Sequence, residues 1–362
     1  MTPTIASNAG LAGALVLAAL TVAASWMVTR WVLAYLRHRA VLDHPNERSS
    51  HSAPTPRGGG IAILAVALPL VGLVYALHVP QAGAGATMVV LGCAAALGLV
   101  SWLDDLRGLP VLLRFAAHIA AVAVALAAMD DKLLVFQGAL PLALDRVAAA
   151  LVWVWFINLY NFMDGIDGLA GVETISIGTG LFALLALIGT STGADGVAMA
   201  LAGLLTAAAA GGFLIHNWHP ARVFMGDVGA IALGYLLGWF LLMLAAWGYW
   251  TAALILPGYY LADATITLIR RALNGEAIWR PHATHFYQRA VKRGLSHARV
   301  TRFIATGNLF LVLIAALSVQ TIGPLGDALC LLGAAVLIGW MLLWLSRAAP
   351  DNPARTSAAT RE

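Results

Sequence analysis

The chain has 362 residues, of which 61% are hydrophobic and only 10% charged, with a formal net charge of +4. Soluble domains carry about 25% charged residues, so a water-soluble core is excluded and the chain reads as a polytopic membrane protein. Its two cysteines, Cys93 and Cys330, sit in apolar runs without motif spacing, which suggests packing rather than a disulfide framework or a metal cluster.

A membrane-spanning helix needs about 20 mostly apolar residues. In chain order, eleven stretches qualify: 10–36, 59–79, 86–102, 110–128, 146–162, 169–189, 196–216, 228–246, 250–269, 301–320 and 325–346. They predict an all-α integral membrane protein, with 1–347 as a single polytopic domain and 348–362 as a disordered cytoplasmic tail. Met1 to Gly10 has no basic region ahead of the first apolar run, which reads as a retained helix rather than a cleaved signal peptide. Only Trp247 to Tyr249 separates the eighth and ninth stretches, which predicts a tight hairpin. Between the fourth and fifth, Leu133–Phe136 and Ala139–Leu144 flank Gln137-Gly138 and predict a short strand hairpin at the membrane surface.

Lys and Arg favour cytoplasmic loops. The loop after the first stretch carries Arg37, Arg39, Arg48 and Arg57. The loop after the ninth carries Arg270, Arg271, Arg280, Arg289, Lys292, Arg293 and Arg299. With eleven spans these loops share a side, joined by Arg107, Arg222 and the tail residues Arg347, Arg355 and Arg361. The other side holds only Lys132 and Arg146. The N-terminus is therefore expected outside and the C-terminus in the cytoplasm.

That topology gathers the loop carboxylates. Asp104 and Asp105 follow the third stretch, Asp164 and Asp167 the fifth, and Asp227 the seventh, all on the cytoplasmic face. Carboxylates and cations on one membrane face fit a site for a metal and phosphate groups. A transporter more often places its charges near the midplane. Here the stretches carry few; Asp263, seven residues before Arg270, is the main exception.

The densest polar block is N-L-Y-N-F-M-D-G-I-D-G-L-A-G, from Asn158 to Gly171. Two carboxylates at the mouth of a membrane segment are costly unless they bind something. On a helix, Asp164 and Asp167 would share a face, and Gly165, Gly168 and Gly171 would let a ligand approach. The plain alternative makes Asp167 a cap for the next helix. A second block, H-N-W-H-P-A-R-V-F-M-G-D-V-G, runs from His216 to Gly229. Its Gly226 and Asp227 precede the eighth stretch, and a helix start favours anions. There Asp227 as an N-cap and Phe224 as an interfacial aromatic are the plain readings.

The first loop reads D-H-P-N-E-R-S-S-H-S-A-P-T-P-R-G-G-G from Asp43 to Gly60, and its prolines and glycines predict a compact turn. Arg48, His51 and Arg57 are candidate phosphate contacts there, or simply anchors of the positive side. In the ninth loop, R-P-H-A-T-H-F-Y-Q-R runs from Arg280 to Arg289. His282 and His285 lack the further ligands of a tetrahedral zinc set, so a surface histidine pair is the plain alternative.

Together these blocks resemble one family, the polyprenyl-phosphate N-acetylhexosamine-1-phosphate transferases, over about residues 10 to 345. The carriers are the D-x-P-N-x-R-x-x-H loop with its Gly-rich end, the Asp104-Asp105 pair, N-x-x-D-G-x-D-G-L-A and F-M-G-D-x-G. The resemblance implies transfer of a sugar 1-phosphate from a UDP-N-acetylhexosamine to undecaprenyl phosphate, with Mg²⁺, in the bacterial cytoplasmic (inner) membrane. It implies Asp227 as the Mg²⁺ ligand and Asp104 and Asp105 near the lipid phosphate, these three being the catalytic set. Asn161, Asp164, Gly165 and Asp167 would bind the nucleotide, with Phe224 beside the uracil. Arg48, His51, Arg57, His282 and His285 would hold phosphate or sugar. The ninth loop resembles the subgroup that primes O-antigen-type chains, as part of lipopolysaccharide and cell-wall biogenesis, rather than the muramoyl-pentapeptide transferases. Membrane lipid and a second copy in a homodimer are the other expected partners, and nucleic acid is not.

Physical chemistry agrees. The acceptor phosphate is itself a nucleophile and is ionised at neutral pH, so a strong general base is not obviously required. A divalent ion would offset the charge of the diphosphate under attack. Whether Asp104 or Asp105 takes a proton or only positions the lipid phosphate stays open at this point. Two other functions compete. The D-G-x-x-G pattern resembles CDP-alcohol phosphatidyltransferases, but Gly168 and Leu169 stand where their Ala-Arg pair falls and the downstream aspartates are missing. A transporter or lipid flippase would show paired charges in mid-helix, and none is evident.

Overall fold

The computed structural model describes residues 8–43, 45, 53–276, 282–321 and 323–349. Arg48, His51 and the tail from residue 350 lie outside the described residues. The described chain is almost entirely helical. A long α1 (Asn8–His38) leads through the two-residue strands β1 (Leu42–Asp43) and β2 (Thr55–Pro56) into α2 (Gly60–His78) and α3 (Gln81–Arg107). Then come α4 (Val111–Ala127), α5 (Leu142–Phe162), α6 (Leu169–Ile188), α7 (Gly193–Asn217) and α8 (Asp227–Ala246). The chain ends with α9 (Trp250–Ile255), α10 (Gly258–Leu273), α11 (Phe286–Lys292), α12 (His297–Ser318) and α13 (Pro324–Arg347). Among the described residues, nine helices are long and apolar enough to cross a membrane, and α4, at 17 residues, is a shorter apolar helix. The protein is thus an all-α integral membrane protein.

Helix α8 is the hub, with 94% of its apolar window buried inside the protein against 17% for α1 and 28% for α13. Lipid tails are as apolar as leucine, so close helix packing has to come from small residues. Along α8 a Cβ at Gly229 would strike Gly60, one at Gly234 would press on Tyr160, and one at Gly238 would strike Trp153. The Trp153 ring stacks on Tyr235 at 4.6 Å, and its indole N–H donates to the Tyr235 carbonyl at 2.9 Å. This packing fixes the start of α8, where Asp227 sits, against α2, α3 and α5.

Two sequence expectations need correcting. The single span expected over 250–269 is two helices, α9 and α10, broken at Leu256-Pro257. Proline has no N–H to donate and its ring crowds the preceding turn. The break lets α10 present different sides. Tyr259, Tyr260, Asp263, Thr267 and Arg271 are buried in the protein, while Ile266, Ile269 and Leu273 are exposed. The strand hairpin expected around Gln137-Gly138 is a set of turns. Buried Asp145 at the start of α5 takes hydrogen bonds from the Val135 and Phe136 N–H groups at 3.1 and 2.8 Å, and these compete with strand pairing. The tight hairpin at Trp247–Tyr249 forms as expected, with Gly248 at φ 94°.

Candidate active site

The site is assembled by main-chain bonds between distant loops. Phe224 N–H donates to the Pro56 carbonyl at 2.8 Å, and Gly58 and Gly59 N–H donate back to the Phe224 carbonyl at 3.2 and 2.8 Å. Gly60 N–H donates to Met225 at 2.9 Å. The end of the first loop is thereby stitched to the start of α8, and Arg57 is delivered to Asp227.

Asp104 and Asp105 occupy the last turn of α3, the end of a helix that disfavours anions. Two arginines compensate. Arg57 Nη2 lies 2.5 Å from Asp105 Oδ1, and Arg114 Nη1 lies 2.7 Å from Asp104 Oδ2. Leu109 N–H also donates to Asp104 at 2.6 Å, past the turn that Gly108 makes at φ 67°. The same two guanidinium groups reach Asp227, at 3.4 Å from Arg57 and 3.6 Å from Arg114. Asn161 Nδ2 donates to Asp227 Oδ1 at 3.1 Å. Gly226, not Asp227, is the N-cap of α8, so the plain capping reading does not describe this carboxylate. For Arg57, burial opposes the charge, but Asp227, Asp105, Asp43 and Asp104 outweigh it and raise the guanidinium pKa.

Residues 163–168 form an irregular turn, so Asp164 and Asp167 do not share a helix face. The N-cap of α6 is Gly168 at φ 78°, so Asp167 is not its cap either. Asp164 faces the cavity, and burial, with Asp227 and Asp167 nearby, pushes its carboxyl up to about 7 against the pull of Arg57. Asp167 behaves oppositely. Burial would raise it, but His297, His219 and the Ala221 N–H hold it below the ordinary carboxylate value. Asn217 joins the two loops by accepting from Gly168 N–H at 3.0 Å and donating to the Val223 carbonyl at 2.9 Å.

A cavity of about 260 Å³ opens at this junction. Of the residues predicted from sequence, Arg57, Asn161, Asp164, Gly165, Asp167, Phe224 and Asp227 line it. Asp104 and Asp105 stand behind that wall, bridged to it by the two arginines. His282 and His285 are not on it. His285 is buried, with Nδ1 3.2 Å from Asp263 Oδ1, and it caps α11. Asp263 also takes the Phe286 and Tyr287 N–H groups at 3.0 and 3.3 Å. A buried carboxylate needs such partners, so the one charged site foreseen within a span holds the ninth loop in place. His282 stacks on His285 at 4.9 Å between ring centres, and burial together with His285 lowers its pKa to about 4.

Sequence reasoning missed five residues here: Arg114, Asn217, His219, Gln288 and His297. Arg114 was absorbed into the expected apolar span 110–128, although an arginine inside a span is itself a signal. Asn217, His219 and Gln288 lay inside blocks already singled out. His297, in the first turn of α12, carried no local signal.

Residues 87–245 match the family model described as Glycosyl transferase family 4. The chain is 30% identical to the decaprenyl-phosphate N-acetylglucosaminephosphotransferase of Mycolicibacterium smegmatis, over 91% of this chain and 87% of that protein. It is 30% identical to a probable undecaprenyl-phosphate N-acetylglucosaminyl 1-phosphate transferase of Bacillus subtilis, over 71% of each. It is also 31% identical to the phospho-N-acetylmuramoyl-pentapeptide-transferase of Streptococcus thermophilus, over 60% of this chain and 66% of that protein. A half-buried cluster of aspartates and arginines at helix mouths, and likeness along nearly the whole length of such enzymes, lead to one conclusion: this chain belongs to glycosyl transferase family 4, among the polyprenyl-phosphate N-acetylglucosamine-1-phosphate transferases.

Proposed function

We propose that the protein transfers N-acetylhexosamine 1-phosphate from a UDP-sugar to undecaprenyl phosphate, giving undecaprenyl-diphospho-sugar and UMP. The observation that carries this reading is Asp227, placed between Arg57, Arg114 and Asn161 on the wall of a cavity that Asp164 and Phe224 also line. In the reaction, an oxygen of the lipid phosphate forms a bond to the sugar-bearing phosphorus. The bridging P–O bond breaks and its electrons leave with UMP, so no proton has to be taken from the nucleophile. Arg57 and Arg114 are placed to hold phosphate oxygens while staying paired with Asp105 and Asp104. That gives the aspartate pair a positioning role rather than that of a base. Phe224 is a half-buried ring suited to stacking on uracil.

The residues fit Mg²⁺. Among the described residues, Asp104, Asp105 and Asp227 meet two guanidinium groups, those of Arg57 and Arg114, and Asp164 is pushed up partly by Asp227. Hard oxygen donors in excess of local positive charge are what that cation needs. Asp227 and Asn161 would hold it, and bound there it would offset the charge of the diphosphate. A second cavity, about 370 Å³ and lined by Trp155, Phe156, Leu241, Leu254 and Leu261 among others, is strongly apolar. We assign it part of the prenyl tail. The same reading puts the active face in the cytoplasm of a bacterial inner membrane, takes N-acetylglucosamine as the first sugar to test, and gives the enzyme a priming role in O-antigen or other envelope polysaccharide assembly, as a monomer or homodimer.

The purified protein, given undecaprenyl phosphate and UDP-N-acetylglucosamine, should release UMP only when Mg²⁺ is present, and a panel of UDP-N-acetylhexosamines fixes the sugar. UMP release without lipid phosphate, or none with any sugar, would overturn the assignment. In the same assay Phe224→Ala should raise KM for the UDP-sugar about tenfold, since stacking on a base is worth about 1–3 kcal/mol. An unchanged KM would return Phe224 to a purely interfacial role.

A further inference from the structure

We infer that Asp167, His219 and His297 form a binding site for a transition-metal dication such as Zn²⁺, distinct from the oxygen-rich position at Asp227. The three residues come from three segments: the 163–168 turn, the loop before α8 and the first turn of α12. His219 Nδ1 lies 2.6 Å from Asp167 Oδ2, and His297 Nδ1 lies 3.2 Å from Asp167 Oδ1. One ligand atom from each residue falls within 4.8 Å of the other two.

The donor set decides the class of ion. Mg²⁺ takes oxygen ligands and keeps its water, whereas two imidazoles with one carboxylate suit Zn²⁺ and its neighbours. Three protein donors and an open fourth position are a recognised zinc arrangement, with Zn–N and Zn–O distances that put donors about 3.4 Å apart. The two contacts to Asp167, at 2.6 and 3.2 Å, lie close to that spacing. His297 gives a second indication. Its Nδ1 accepts from the Asp167 N–H at 3.4 Å while facing Asp167 Oδ1. The Nδ1 lone pair is thereby held on the side of Asp167, within a short swing of its carboxylate oxygen. The surroundings hold the carboxylate ready. Ala221 N–H donates to Oδ2 at 3.1 Å, and Thr301 Oγ1 donates to the Asp167 carbonyl at 3.0 Å. His219 is 37% exposed, which gives an ion a way in, while His297 and Asp167 are 7% and 6% exposed.

Direct binding to the full chain tests this without any substrate. The chelator-treated protein, in detergent and in excess Mg²⁺, is titrated with Zn²⁺ against a fluorescent zinc indicator. The expected result is one Zn²⁺ per chain that Mg²⁺ does not displace, with X-ray absorption showing two imidazoles in an N/O shell. His219→Ala, at a half-exposed position with little folding risk, should weaken binding at least about tenfold, since even outer-shell losses reach that size. His282→Ala, in the other histidine pair, should leave it unchanged. No stoichiometric zinc, or zinc lost in His282→Ala and kept in His219→Ala, would overturn the proposal and leave a hydrogen-bonded clamp on Asp167. Asp167 and His297 also line the first cavity. Zinc should therefore slow wild-type UMP release more than that of His219→Ala; this arm alone rests on the proposed reaction.

Discussion

Asp227→Asn is expected to lower UMP release at least about a hundredfold while the protein still inserts and survives purification. Asn caps a helix about as well as Asp, so a residue serving only the start of α8 would tolerate the change. The structure gives that cap to Gly226 and turns the Asp227 carboxylate toward Arg57, Arg114 and Asn161. Losing its charge gives a hard cation a poorer oxygen, while Arg57 and Arg114 keep their shorter pairings with Asp105 and Asp104. Metal stabilisation of a developing charge is worth several kcal/mol, and each tenfold in rate is about 1.4 kcal/mol. Raising Mg²⁺ should recover part of the loss, because weaker binding is offset by concentration. Asp104→Asn, whose carboxylate pairs with Arg114, should respond less to added metal. An Asp227→Asn enzyme of ordinary activity and ordinary Mg²⁺ dependence would remove Asp227 from the reaction.

Gly60→Ala should both unfold the protein several degrees lower and abolish most activity. A Cβ at this position would overlap the backbone of Gly229, where α2 meets α8, and backbone cannot rotate away as a side chain can. Overpacking costs typically 1–3 kcal/mol. Here the displaced elements carry Arg57 on one side and Asp227 on the other, so a shift of about 1 Å also misplaces the charges, and misplacement of that size can cost about a hundredfold. Gly92→Ala is the control. Gly92 lies in α3 with nothing within 4 Å of a Cβ, and alanine there should be neutral or slightly stabilising. A Gly60→Ala protein as stable and active as Gly92→Ala would show that this contact does not set the site.

Much of the architecture was legible because a membrane imposes a simple rule: every backbone polar group in lipid is satisfied within a helix or a closed barrel. Length and hydropathy therefore located the helices. The breaks in that reading came where a local exception met a tertiary partner. Pro257 split one expected span, and buried Asp145 turned an expected strand pair into turns.

At the site, the sequence by itself determined which loops carry carboxylates, glycines and arginines, and that they occupy one face. Charge is too costly in lipid to be placed idly, so its position along the chain is informative. Only the tertiary structure decided which charge meets which. Arg57 and Asp227 are far apart in sequence and are joined by main-chain bonds between their loops, and Arg114 reaches the site from a helix that read as plain apolar span. His282 and His285 were expected from the resemblance to hold phosphate or sugar, whereas buried Asp263 claims His285. His297, which no local pattern marked, reaches Asp167 because α12 packs beside α6, and it meets His219 from the loop before α8 there. Hydrophobic periodicity names elements, but the pairing of polar groups depends on distances between elements, and those are set by how small residues such as Gly60 and Gly229 let helices close on one another.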